Sequence, residues 1–245
     1  MINNIIKNFS NIKMGYGNPN GNFWFIGPEE GGSIKGNKDR IETWAELGEK
    51  EHFHDMKEFH LSLSKRKEYD SLNRFFIGEK SKLQSTWNGI MKILLPLTQI
   101  ENTLQIRREY QSQQLGSRNG DTIIAELFQL SSKSLDDKDC LEYFGRTKKE
   151  YWQDYAPLRE TLLCNQIRKY KPKVVCFYST SFIENWYRIT KELNTDFHDY
   201  ESINYLPMRY FKNSETLFVI IPHPIARSMN GNHEKIGLAI KKFIQ

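Results

Sequence analysis

Two adjacent carboxylates, Glu29 and Glu30, follow the apolar run Phe23-Trp24-Phe25-Ile26 in a segment bounded by Gly27-Pro28 on one side and Gly31-Gly32 on the other. Carboxylates in such a place can orient or activate water, and the glycines let backbone approach a ligand closely. Near the other end of the chain, Leu217-Phe218-Val219-Ile220-Ile221 runs into Pro222-His223-Pro224 and then Arg227, Ser228 and Asn230. The flanking prolines restrict the backbone around His223 and preset its ring. An imidazole so placed can stabilise an anionic leaving group, with a pKa tuned by its surroundings. Two strand ends, one acidic and one bearing a constrained histidine, point to a single active site. Taken singly, each feature has a plainer reading: solvated turn carboxylates or a helix cap for the glutamates, a packing role for His223, and caps of the last helix for Arg227, Ser228 and Asn230. The glycine-rich turn has neither GxGxxG nor Gly-Lys-Ser/Thr, and two carboxylates repel a phosphate, which argues against a nucleotide-phosphate cradle.

Apolar periodicity supplies the elements that must position these groups. Residues 22–26 read as a fully buried first strand, 122–128 as a second, 174–178 as a third and 216–221 as a fourth. Helical spacing of Trp87, Ile90, Met91, Leu94 and Leu97 after Ser85-Thr86, an expected N-cap, predicts a core-facing helix over 86–98 with Pro96 straining its end. Pro157 suits the first turn of a helix that carries Leu158, Leu162, Leu163, Ile167 and Tyr170 and stops before Pro172. Further helices are expected at 181–193 and 233–244. The stretches 101–120 and 129–139 read as polar loops. Residues 33–82, charged and mixed in sign, read as a helical insertion. Strands separated by helices favour right-handed crossovers, hence a three-layer α/β/α sandwich around a four-stranded, mainly parallel sheet. In such folds ligands gather beyond the carboxyl ends of the strands, where 27–32, 129–134, 179–181 and 222–230 converge.

A chain of 245 residues can form this as one large domain over 1–245, with the insertion inside it. Its formal charge of +5, from 35 Lys and Arg against 30 Asp and Glu, is compatible with an anionic partner without requiring one. No apolar run has the length of a membrane span, and the start lacks the apolar core of a secretory signal, so a cytoplasmic protein without membrane partners is expected, as a monomer. Cys140, Cys164 and Cys176 are too dispersed for a disulfide framework or a CxxC metal site and read as reduced thiols. His52, His54 and His60 around Asp55 make the best metal-like cluster, but their spacing fits an exposed charged helical face better than a ligand set. No metal or cofactor is therefore expected.

Together, Gly27-Pro28-Glu29-Glu30-Gly31 after the first strand and His223-Pro224 after the last resemble the uracil-DNA glycosylase superfamily, over most of the chain in strand order and over a short stretch in motif. The resemblance implies a four-stranded parallel sheet flanked by helices, and a nucleotide flipped from the duplex into a pocket at the strand ends. It implies water held by Glu29 or Glu30, His223 as the group that stabilises the departing base, and Gly27 and Pro28 at the base. The late motif departs from His-Pro-Ser in having Ile225, with Ser228 a substitute phosphate contact. Where uracil-specific members carry an Asn, this chain offers Glu126, Phe128 and Gln129, and a carboxylate suits an amino-bearing edge such as that of a modified cytosine. Phe128 or Tyr178 is a candidate to stack on the base, while Ser131, Ser132, Lys133, Ser179 and Thr180, with Arg227, Ser228 and Asn230, are candidates for DNA phosphates. Three dispersed cysteines exclude the iron–sulfur cluster of some branches. The expected activity is thus hydrolysis of the N-glycosidic bond of a damaged or modified base in DNA, in repair or phage defence. The competing expectations are a non-catalytic nucleic-acid-binding protein of the same fold, its basic clusters Arg107-Arg108, Arg146-Lys148-Lys149 and Arg168 to Lys173 contacting phosphates, and a nucleotide-processing hydrolase; a zinc hydrolase ranks behind both.

Overall fold

The computed structural model describes residues 2–32, 36–48, 50–78, 80–132, 147–194 and 206–244. Lys133, Cys140 and Arg146 lie outside the described residues, as does the side chain of Ser132. In chain order the elements are α1 (Ile2–Ile12), β1 (Gly15–Gly17), β2 (Phe23–Gly31), α2 (Asn37–Gly48), β3 (Phe53–His54), α3 (Met56–Leu63), a 3-10 turn over Lys67–Phe75, α4 (Ser85–Leu97), α5 (Leu104–Gln113) and β4 (Thr122–Ser132). They continue with α6 (Lys148–Tyr170), β5 (Val174–Tyr178), α7 (Ile183–Glu192), β6 (Arg209–Lys212), β7 (Leu217–Ile221) and α8 (His233–Ile244).

The fold is α/β, and its sheet has seven strands in the order β3-β1-β4-β2-β5-β7-β6 rather than the expected four. The neighbours β4-β2, β2-β5 and β5-β7 pair in parallel. Antiparallel pairing of β1 with β4 and of β6 with β7 makes the whole sheet mixed. The edge strands β1, β3 and β6 are short and carry too few residues for an apolar pattern to announce them. The strands β5 and β7 are buried at every position, as continuous Val, Ile and Phe runs demand when both faces are covered.

Several boundaries differ from expectation for identifiable reasons. The first strand does not stop at residue 26: β2 continues through Gly31 because Gly27 pairs with Glu126 and Glu29 with Phe128 on β4, so both glutamates sit on a strand end. The helix assigned to start at Pro157 begins at Lys148. Thr147 and Glu150 form a reciprocal capping box there, and Pro157 lies inside the helix. The polar stretch 101–120 is not all loop. Thr103 caps α5, whose one buried residue, Gln111, donates to the carbonyls of Phe75 and Lys82 and accepts from the Gln84 N–H. In α4 the N-cap is Gln84, which accepts from the Trp87 N–H, rather than Ser85 or Thr86. The insertion 33–82 is largely helical, yet it also supplies β3 to the sheet edge beside β1.

Packing fixes the ends of these elements. A Cβ on Gly89 of α4 would lie 2.7 Å from Pro224 Cβ, and one on Gly237 of α8 would lie 2.2 Å from the Ile93 carbonyl oxygen, so only glycine permits this approach. The loop carrying His223 is thereby seated on α4. Arg159 of α6 is fully buried and donates to four carbonyls, those of Ser10, Lys13, Glu126 and Leu127, tying α1 and the chain entering β1 to β4. Among the described residues no helix is long and apolar enough to cross a membrane.

Candidate active site

The carboxyl ends of β2, β4, β5 and β7 gather three glutamates, a tyrosine and a histidine, each with a different electrostatic setting. Glu30 is held by Arg40 of α2 at 2.5 Å, by the Tyr16 hydroxyl at 3.0 Å and by His60 Nε2 of α3 at 3.2 Å. Burial alone would raise its pKa, but the Arg40 guanidinium, His60 and Lys13 overcome that and hold it well below the usual carboxylate range. The insertion therefore reaches back to neutralise one of the two adjacent carboxylates. His60 and His54 are both buried, not parts of an exposed helical face. His60 Nδ1 also lies 2.7 Å from the Met56 carbonyl, and its ring packs edge-on to Trp87. Among the described residues no group of three or more His, Cys, Asp or Glu is arranged to hold a metal.

Glu29, one residue earlier, goes to a separate partner. Lys148 at the first turn of α6 places its Nζ 2.7 Å from Glu29 Oε1, with the lysine side chain 4% exposed and the glutamate 17%. A lysine at a helix N-terminus opposes the helix dipole. The carboxylate across the sheet end, and the Trp152 ring 4.8 Å below the ammonium, offset that cost.

Glu126 is the third carboxyl. Its Oε1 accepts from the Tyr178 hydroxyl at 3.0 Å, while its Oε2 is buried with no hydrogen-bond partner among the described residues. Burial, then repulsion from Glu30, pushes its pKa well above the ordinary value, so near neutrality it is a neutral acid. Tyr178 reaches it by crossing Gly27: a Cβ there would lie 2.2 Å from the tyrosine ring. This is the physical reason for a glycine at that position of β2. The other face of Tyr178 meets His223 edge-on, with ring centroids 5.5 Å apart. His223 is half-buried, and burial lowers its pKa from the ordinary value, favouring the neutral ring at pH 7. The Ile225 N–H points at its Nδ1 at 3.4 Å, the tautomer that leaves the ring proton on Nε2.

The remaining expected site residues divide clearly. Gly27 and Pro28 are buried in β2. Gln129 is buried and engaged with Lys13, the Met14 carbonyl and the Glu126 carbonyl. Lys13 itself lies over the Tyr16 ring at 4.2 Å, its pKa pushed down to about 8 by burial. Ser131 is fully buried, and its Oγ donates to Asn37, which places it inside the protein rather than at a phosphate. Phe128 is buried against Tyr151, Trp152 and Phe182. Thr180, Arg227, Ser228 and Asn230 are exposed and Ser179 half-exposed. Cys164 and Cys176 are buried free thiols. Burial pushes the Cys164 thiol up to about 12 and raises the Cys176 thiol as well, which makes both poor nucleophiles.

The partners that sequence reasoning missed are Arg40, His60 and Lys148. Only Lys148 had a local signal, since Thr147-Lys148-Lys149-Glu150 is a capping box that marks a helix start pointing at the strand ends. No protein-family model matches this chain, and no curated protein matches it.

Proposed function

We propose that this chain is a DNA glycosylase that hydrolyses the N-glycosidic bond of a flipped, damaged or modified base, with the uracil-DNA glycosylase superfamily as its model. The observation that carries the reading is the row Glu126, Tyr178, His223 in mutual contact at the ends of parallel strands, with Glu29 on the strand between β4 and β5. The fold that goes with it is a three-layer α/β/α arrangement. Alternation along β5 favours it: Phe177 stacks on Trp186 of α7, whereas Tyr178, the next residue, meets His223 in the loop seated on α4.

In this reading Glu29, oriented by Lys148, holds the water that attacks the anomeric carbon. The carbon–nitrogen bond breaks, the electron pair leaves with the base, and the Nε2–H of neutral His223 donates to the departing anion. Glu30 is assigned a structural role, because Arg40, Tyr16 and His60 already occupy it. Glu126, neutral and braced by Tyr178, is suited to read a base edge as donor or acceptor, which fits the expectation of a modified cytosine. Exposed Ile225 after His223-Pro224 is suited to wedge between base steps, and Arg227, Ser228 and Asn230 to meet phosphates. DNA is then the partner of a cytoplasmic monomer.

One observation favours a second reading. Glu29 and Glu30 are each ion-paired with a cation, as in a scaffold that binds nucleic acid without chemistry. The test is incubation with single- and double-stranded DNA carrying uracil or several modified cytosines, scored for free base and alkali-labile abasic sites. Excision by the wild type, with Glu29→Gln and His223→Gln at least about a hundredfold slower yet still binding DNA, is expected. Retained binding with no base released from any substrate would leave the scaffold reading in its place.

A further inference from the structure

A cleft of about 730 Å³ lies between α6 and the start of α7, lined by Phe128, Trp152, Phe182, Ser179, Asn185 and Arg188 among others. Its volume is inside the range of about 300–1,000 Å³ usual for small-molecule sites. Three aromatic rings form its wall: Phe128 and Trp152 are near parallel (29°), while Phe182 stands at 83° to Trp152 with centroids 5.1 Å apart. Phe128 and Tyr178, the stacking candidates of the sequence, are both buried in the sheet. Trp152 and Phe182 are only half-buried and keep ring surface available.

Three independent observations mark this cleft as more than packing. The Trp152 indole N–H has no acceptor among the described residues although it is shielded from solvent. Ser179, in the cleft wall at the end of β5, is held at φ 80°, a conformation costly for a residue with a Cβ. It is kept there by its N–H to the Ile221 carbonyl and by the Trp186 indole N–H to its own carbonyl. The cleft also adjoins the carboxylate pair: Phe128 is the direct cross-strand neighbour of Glu29, and the Lys148 that binds Glu29 lies over Trp152.

We propose that this cleft is the receptor for the planar ring of the substrate base, stacked on Trp152 and Phe182, with the Glu29 and Lys148 pair at its inner end. This rests on the glycosylase reading and assigns its base pocket to the α6 and α7 side of the strand ends. Aromatic rings give a sequence-tolerant platform, since every base has a π face. The polar positions Ser179 and Asn185, with the Glu160 carboxylate that Asn185 and Arg188 both bind, then border the edge of the ring.

The experiment follows the Trp152 indole resonance, assigned by its loss in Trp152→Phe, while cytosine, 5-hydroxymethylcytosine, uracil and adenine nucleosides are titrated into the full chain. In parallel, kcat and KM for excision are measured for the wild type, Trp152→Phe, Trp152→Ala and Ser181→Trp, the last filling the cleft from an exposed position. Expected are a saturable shift of the Trp152 signal by at least one nucleoside and a rise in KM of about tenfold or more in Trp152→Ala. The same rise is expected in Ser181→Trp, with Trp152→Phe close to wild type. A Trp152 signal unmoved by every nucleoside, or excision at wild-type KM in Ser181→Trp, overturns the proposal even if the protein excises bases. A saturable shift without excision of any base would sustain the ring site and overturn the glycosylase reading instead.

Discussion

Replacing Glu126 by Gln isolates the energetic cost of a carboxyl that the fold buries without a cation in contact among the described residues. Its side chain is nearly inaccessible, its partner is the neutral Tyr178 hydroxyl, and both Glu30 and Glu29 oppose its ionisation. Its folded pKa lies above the unfolded one, so its contribution to stability is fully present below the ordinary carboxylate value. That contribution is lost as pH rises toward the folded pKa, at about 1.4 kcal/mol per pH unit. Gln keeps the size and an acceptor for Tyr178 but cannot ionise. Its amide N–H₂ would replace the unpartnered Oε2, at a cost of about 1–3 kcal/mol that does not depend on pH. Urea unfolding from pH 4 to 8 should therefore show the variant equal to or less stable than the wild type in acid. It should gain on the wild type by about 1.4 kcal/mol for each unit above the ordinary carboxylate range until the folded pKa is passed. A stability difference that stays flat across pH 5 to 7 would refute the assignment of Glu126 as a buried neutral acid.

Two further substitutions test the frame of the site. Gly27→Ala places a Cβ against the Tyr178 ring and must displace the hydroxyl from Glu126, costing about 2–4 kcal/mol in thermal or urea unfolding; an equal cost in a Tyr178→Leu background would show that the ring is not the obstacle. Arg159→Met strips four carbonyls of their donor and should cost about 3 kcal/mol or more, with α1 amides exchanging fastest, whereas a loss below about 1 kcal/mol would mean that those carbonyls find other partners.

The four long strands were legible because each is a continuous apolar run ended by glycine, proline or polar residues, and the alternation of strand and helix carried the α/β class. What the sequence could not announce is set by partners distant along the chain. Glu29 and Glu30 look alike as neighbours, but Arg40 and His60 fold back on one while Lys148 comes from the far side of the sheet to the other. Nothing in the local sequence separates the two. Helix α5 escaped notice because almost none of its residues face the core, so no apolar period marks it; Thr103 as its cap was the one available sign. Pro157 misled in the opposite way. It is a good first-turn residue, yet the capping box at Thr147 had already started the helix upstream. Ser131 looked like loop polarity and instead lies buried against Asn37, because β4 runs on through it.

The Arg159 clamp has a consequence for how the chain assembles. During synthesis α1 and β1 emerge first, but the guanidinium that grips the Ser10 and Lys13 carbonyls arrives only with α6, 149 and 146 residues later. Contacts so far apart in sequence are paid for late in folding. Until then the amino-terminal segment has no fixed seat beside β4, and the edge of the sheet that β1 covers stays open. The acidic half of the site, braced through Tyr16 on β1, thus becomes rigid only after most of the chain has been made.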